Sequence, residues 1–200
     1  MKNREEWLTE CIEYLREPFG EAGFRVPKKI RVSCSWPSKG ALAAKAKRIG
    51  EAWSAQSSGD EHYEIFISPI LSDPGIVGAT LTHELCHCVV GLAEKHGKRF
   101  RVCAVAMGLE GPITATTAGE ALQATLAKIT RRLGKYPHAE LLASNAAPKQ
   151  TTRMMKVECA ACGCIVRMTR KWLEEAGAPT CACGNEMIRE EQDEPEDSDE

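Results

Sequence analysis

The segment Leu81-Thr-His-Glu-Leu-Cys-His87 sets two imidazoles four positions apart, with a carboxylate beside the first, inside a run that is otherwise largely apolar. Four residues are just over one helical turn, so on a helix His83 and His87 project from one face and Glu84 lies next to them. In a loop that register is lost. Two histidines and a glutamate on a core helix are costly unless an ion or hydrogen-bond partners satisfy them. The pattern therefore predicts a helix that holds a catalytic zinc, with Glu84 as the general base.

Asp73-Pro74 reads as the start of that helix, because Asp accepts from free amides and Pro at the first helical position has no amide to satisfy. Gly91 marks its end, near Val90. Two protein ligands leave a catalytic zinc incomplete, and only five histidines are present. His96, beyond the helix end in Glu94-Lys-His-Gly-Lys-Arg-Phe100, is one candidate; Glu110 and Glu120 are the others, in the manner of gluzincins. Val90 and Ala93 stand where a metzincin carries Gly and His, which argues against that group. His62 is expected at the surface and His138 in a structural or supporting role.

Elsewhere Trp7, Leu8, Cys11, Ile12 and Leu15 recur at helical spacing and predict an amphipathic helix over 4–16, closed by Pro18 and Gly20. Strands are predicted over 29–36 and about 62–68. Further helices are predicted over 98–107 and from a capping box of Thr117 and Glu120 to Leu133, ending at Gly134. The class is α+β.

Of ten cysteines, five fall in two groups near the C-terminus. Cys159-Ala-Ala-Cys162-Gly has the standard knuckle spacing; Cys181-Ala-Cys183-Gly is one residue shorter, which leaves Cys164 as the substitute for Cys183 as fourth ligand. Two knuckles joined by a strand-forming stretch (Ile165-Val-Arg-Met168) are the layout of a zinc ribbon, whose structural zinc supplies folding energy directly. Cys11, Cys34, Cys86, Cys88 and Cys103 sit mostly among apolar neighbours and read as small packing residues. No run of 18 apolar residues and no signal-peptide pattern is present, so a reducing cytoplasm is expected, with neither export nor membrane insertion.

Residues 1–142 are expected to form the metal-binding domain, 143–152 a small, polar linker, and 153–188 the ribbon. Residues 189–200 hold eight acids and one base and are expected to be a disordered acidic tail. Without them the chain carries 25 bases against 20 acids, and the stretch 25–48 holds eight bases and no acid. Lys45, Lys47 and Arg48 from that stretch, with Arg167, Arg170 and Lys171 from the ribbon, are the candidates for nucleic-acid contact. Trp172 offers a stacking surface.

With the metal helix, His96-Gly97 followed by Phe100, the strand ending Ile67-Ser-Pro69, and Cys159-x-x-Cys162 with Cys181 in view, the chain resembles the SprT-like proteins. That group includes Spartan-type proteases and short phage-encoded relatives. The resemblance covers most of residues 25–188. It implies a compact zincin-like α+β core, zinc bound by His83, His87 and His96, Glu84 as catalytic base, and cleavage of DNA-associated proteins in the cytoplasm or at the nucleoid. It also tips the third ligand toward His96. Two readings follow: a zinc metallopeptidase acting on proteins near DNA, or a non-proteolytic accessory protein that binds nucleic acid or the transcription machinery through structural zinc sites.

Overall fold

A computed structural model describes residues 2–41, 48–142 and 154–189. The expected linker, Lys45, Lys47 and the tail beyond Arg189 lie outside the described residues. The chain is mixed α+β and divides into two units, Met1–Asn145 and Ala146–Glu200. No helix among the described residues is long and apolar enough to cross a membrane.

The first unit opens with α1 (Arg4–Glu21), started by a capping box in which Asn3 and Glu6 satisfy each other's free amides. It runs five residues past the predicted end and carries Pro18 inside. Proline removes one bond, to the carbonyl four residues back, yet Phe19 beyond it is fully buried and Ala22 N–H donates to the Pro18 carbonyl. Burial of one aromatic ring offsets the missing bond.

Strands β1 (Ile30–Cys34), β2 (Gly50–Trp53) and β3 (Tyr63–Ile67) form a sheet in the order β1-β3-β2. β3 is central, parallel to β1 and antiparallel to β2. Val32 and Cys34 with Ile65 and Ile67 turn one face to the core, the period-2 pattern expected of strands with one buried side.

Helix α2 (Pro74–Val90) starts as predicted: Asp73 caps it by accepting from Ile76 N–H, and Gly91 follows its last turn. Most of its circumference is buried, as expected of a helix apolar on nearly all sides. It lies against β2, α3 (Lys98–Ala106) and α4 (Glu120–Leu133). A two-stranded ladder of β4 (Leu109–Glu110) and β5 (Thr117–Ala118) precedes α4. Thr117 is therefore a strand residue, and the cap of α4 is Gly119 rather than the predicted Thr117 box. Cys11, Cys34, Cys86, Cys88 and Cys103 are all buried in this core.

The second unit is a three-stranded sheet, β7-β6-β8, of β6 (Met154–Glu158), β7 (Ile165–Thr169) and β8 (Ile188–Arg189), with α5 (Arg170–Ala176) after β7. Its core is small: Val157, Cys159, Cys181 and Met187, with Met168 and Leu173 packed on it.

Candidate metal centres

His83 and His87 project from α2, and the turn after Gly91 returns His96 to them. Lys95 makes that return with φ 51° and ψ −124°, a conformation L side chains rarely adopt. The ligand atoms of the three histidines lie within 4.8 Å of one another. His83 Nε2 and His96 Nε2 are 3.3 Å apart. Two nitrogens each 2.0–2.1 Å from one tetrahedral zinc are separated by about 3.3 Å, so the donor set fits the ion. Glu110 and Glu120 are exposed and outside this group, so among the described residues His96 is the candidate third donor that joins the two helix histidines. His62 pairs with Asp60, and His138 bonds the Pro69 carbonyl and Arg4; neither joins the cluster.

Phe100, fully buried on the first turn of α3, packs its ring 5.0, 4.2 and 4.9 Å from the rings of His83, His87 and His96. Thr116 Oγ1 lies 2.8 Å from His83 Nδ1. When Nδ1 donates that bond, Nε2 keeps its lone pair for the metal and the ring is held in orientation. Thr116 carried no signal in the sequence, because a lone threonine before a strand has no pattern to mark it.

Glu84 is buried against β2. A Cβ built on Gly50 would stand 2.5 Å from Glu84 Oε1 and 2.7 Å from Thr80 Cγ2, so the strand approaches the helix closely because residue 50 has no side chain. Gly50→Ala is expected to cost about 1–3 kcal/mol of stability through overpacking. Urea unfolding measures it, and an unchanged midpoint would show that the strand yields freely.

Arg48 pairs with Glu51 at 2.7 Å, and its charge acts on both Glu84 and His96. The Arg48 side chain stays half exposed in this pair. Two other bases of the stretch are also paired among the described residues. Lys29 pairs with Glu61, and Arg31 with Asp60 and Glu64, acids that the sequence places far away and the sheet brings alongside.

Burial, then the neighbouring imidazoles, lowers His83 to about 4 and His87 to about 3, and burial also lowers His96. All three are neutral near pH 7, the form that binds metal. Burial raises Glu84 to about 8, against a smaller opposing pull from Arg48. The signs are opposite. Below the ordinary histidine value of 6.5 the unfolded chain binds more protons, so the histidines' contribution to stability is lost as pH falls toward 4. For Glu84 the folded chain binds the extra proton between 4.5 and 8, so its contribution is lost as pH rises through that range. With three histidines opposing one glutamate, the metal-free protein is expected to be most stable near pH 6.5. Thermal melts across pH 4–9 check this, and in Glu84→Gln the decline from 6.5 to 8 should vanish.

In the second unit the sulfurs of Cys159, Cys162, Cys181 and Cys183 cluster, with Cys159 to Cys183 at 3.5 Å and Cys162 to Cys181 at 3.4 Å. Two sulfurs each about 2.3 Å from one zinc lie about 3.8 Å apart, close to these separations. Each knuckle closes on its own backbone: Gly163 N–H donates to the Cys159 carbonyl and Gly184 N–H to that of Cys181. The short second knuckle therefore still delivers Cys183, and Cys164 is not part of the cluster. The Asn185 amide and backbone hold the Cys183 thiol down to about 6, toward the thiolate a metal needs. Arg167 and Lys171 are exposed, with the Lys171 ammonium 5.3 Å from the exposed Trp172 ring; Arg170 is exposed beside them.

Compared with known proteins, the chain matches no protein-family model, no curated protein and no solved structure.

Proposed function

We propose that the chain is a zinc-dependent metallopeptidase of SprT-like type, with a zincin-like core, a zinc ribbon, and Glu84 as general base. The carrying observation is the convergence of His83, His87 and His96 at zinc-ligand spacing, with a buried carboxyl on the residue next to the first of them. Motif residues and their geometry support the family reading.

A zinc bound there would polarise a peptide carbonyl and bring the pKa of its water near 7. Glu84 takes the proton from the attacking water and hands it to the departing amine nitrogen. In the metal-free chain burial favours the protonated carboxyl; the charge of a bound zinc would oppose that shift and free Glu84 to act as base. Gly50 fixes where the carboxyl sits, and Thr116 orients His83. Protein substrates near DNA fit Arg167, Arg170 and Lys171 beside Trp172, a cationic surface with a ring for base stacking.

Glu84→Gln tests the reading. Zinc content, by elemental analysis, is expected to stay at two per chain while peptide hydrolysis falls by about 100-fold or more. Hydrolysis unchanged in the variant would leave the accessory-protein reading in its place.

A further inference from the structure

A cavity of about 760 Å³ opens one helical turn before His83, where α2, α4, β5 and the residue before β2 meet. Its apolar lining comes from Ile76 and Ala79 on α2, Leu126 and Ala127 on α4, and Ile49. Ile76 is half exposed there, an apolar side chain left facing solvent. Asp73 also lines the cavity, but its carboxylate is engaged in capping Ile76 N–H at 2.9 Å. Arg131, the other charged side chain of the lining, donates from Nε to the Ala127 carbonyl at 3.4 Å and brings a positive charge to the cavity.

Two further lining residues connect this space to the histidine site. Thr116 is the residue that bonds His83. Thr80 shares with Glu84 the space above Gly50. Ala79 precedes His83 by four residues, a rise of about 6 Å along the helix. A peptide residue spans about 3.8 Å between Cα atoms, and a long side chain adds several more. A carbonyl held at the histidines therefore has the side chain of an adjoining residue within reach of the cavity.

We infer that this cavity is the specificity pocket for a residue flanking the cleaved bond and that it selects a large apolar side chain, leucine-like or aromatic. The inference rests on the metallopeptidase reading and names the substrate feature it would favour. Apolar walls give such a side chain its transfer free energy, while Arg131 disfavours a Lys or Arg there. The volume exceeds that of one side chain, so an aromatic ring enters without displacing α4.

The test uses the zinc-loaded full chain and two short peptide hydroxamates, identical except that one carries an isobutyl side chain where the other has hydrogen. The isobutyl probe is expected to bind at least about tenfold more tightly. Ala127→Phe, at a solvent-exposed position of α4, is expected to bring that ratio near one, with zinc content as the control for an intact site. Thr130→Leu, which also lines the cavity, is the second filling variant. Equal affinity of the two probes for the wild-type chain, or a ratio that survives both variants, overturns the pocket and leaves the metallopeptidase reading standing. If neither probe binds the zinc-loaded chain, that reading falls as well.

Discussion

Stripping the chain with a strong zinc chelator is expected to abolish the fold of residues 154–189 altogether. The core of that unit is four buried residues, two of them cysteines of the metal cluster. So little apolar burial does not offset the entropy of ordering its strands. Structural zinc supplies about 10–16 kcal/mol in small metal-organised units, comparable to the whole stability of an ordinary domain. Cys159→Ser and Cys183→Ser should each have the same outcome, whereas Cys164→Ser should leave the unit folded. Amide exchange over β6 and β7 reads the difference, and protection that survives chelation would refute the account.

Phe100→Ala is expected to be the most damaging single change in the first unit. Its ring is fully buried and touches all three imidazole rings, so its loss leaves a cavity beneath the histidines as well as removing apolar contact. Deletions of this kind cost about 3–5 kcal/mol. The histidines would also lose the surface that fixes their rotamers, and zinc affinity is expected to drop by about 10- to 100-fold, as when supporting residues around a metal are removed. Denaturant unfolding and competitive zinc titration measure the two effects separately. Zinc affinity unchanged in a destabilised variant would mean that the imidazoles are held by their backbone alone.

What the sequence made legible was local. Asp73, Pro74 and Gly91 bracket α2 because capping and proline geometry act over a few residues, and the spacing of His83 and His87 survives into the structure because a helix preserves it. The second knuckle was harder to read than the first, yet its backbone turn compensates for the missing residue. Strand β2 was not visible: Gly50-Glu-Ala-Trp53 has no alternating apolar pattern, and its glycine is explained only by the approach of Glu84 from a helix more than thirty residues later. The misread cap at Thr117 has the same origin, since its pairing with Glu110 is a contact between strands. Ion pairs within the basic stretch were equally hidden, since Glu61 reaches Lys29, and Asp60 and Glu64 reach Arg31, only once the sheet has formed.

The three imidazoles come from one short span, His83 and His96 being 13 positions apart, while the glycine that seats the carboxyl comes from β2 and the hydroxyl that steers His83 from residue 116. Closing so short a span costs little chain entropy, whereas the other two contacts wait on distant parts of the chain. If the chain is the metallopeptidase proposed above, a nascent polypeptide is thus equipped to capture its ion early and to acquire hydrolytic competence late. On the proposed reading, that interval protects the emerging chain from its own chemistry.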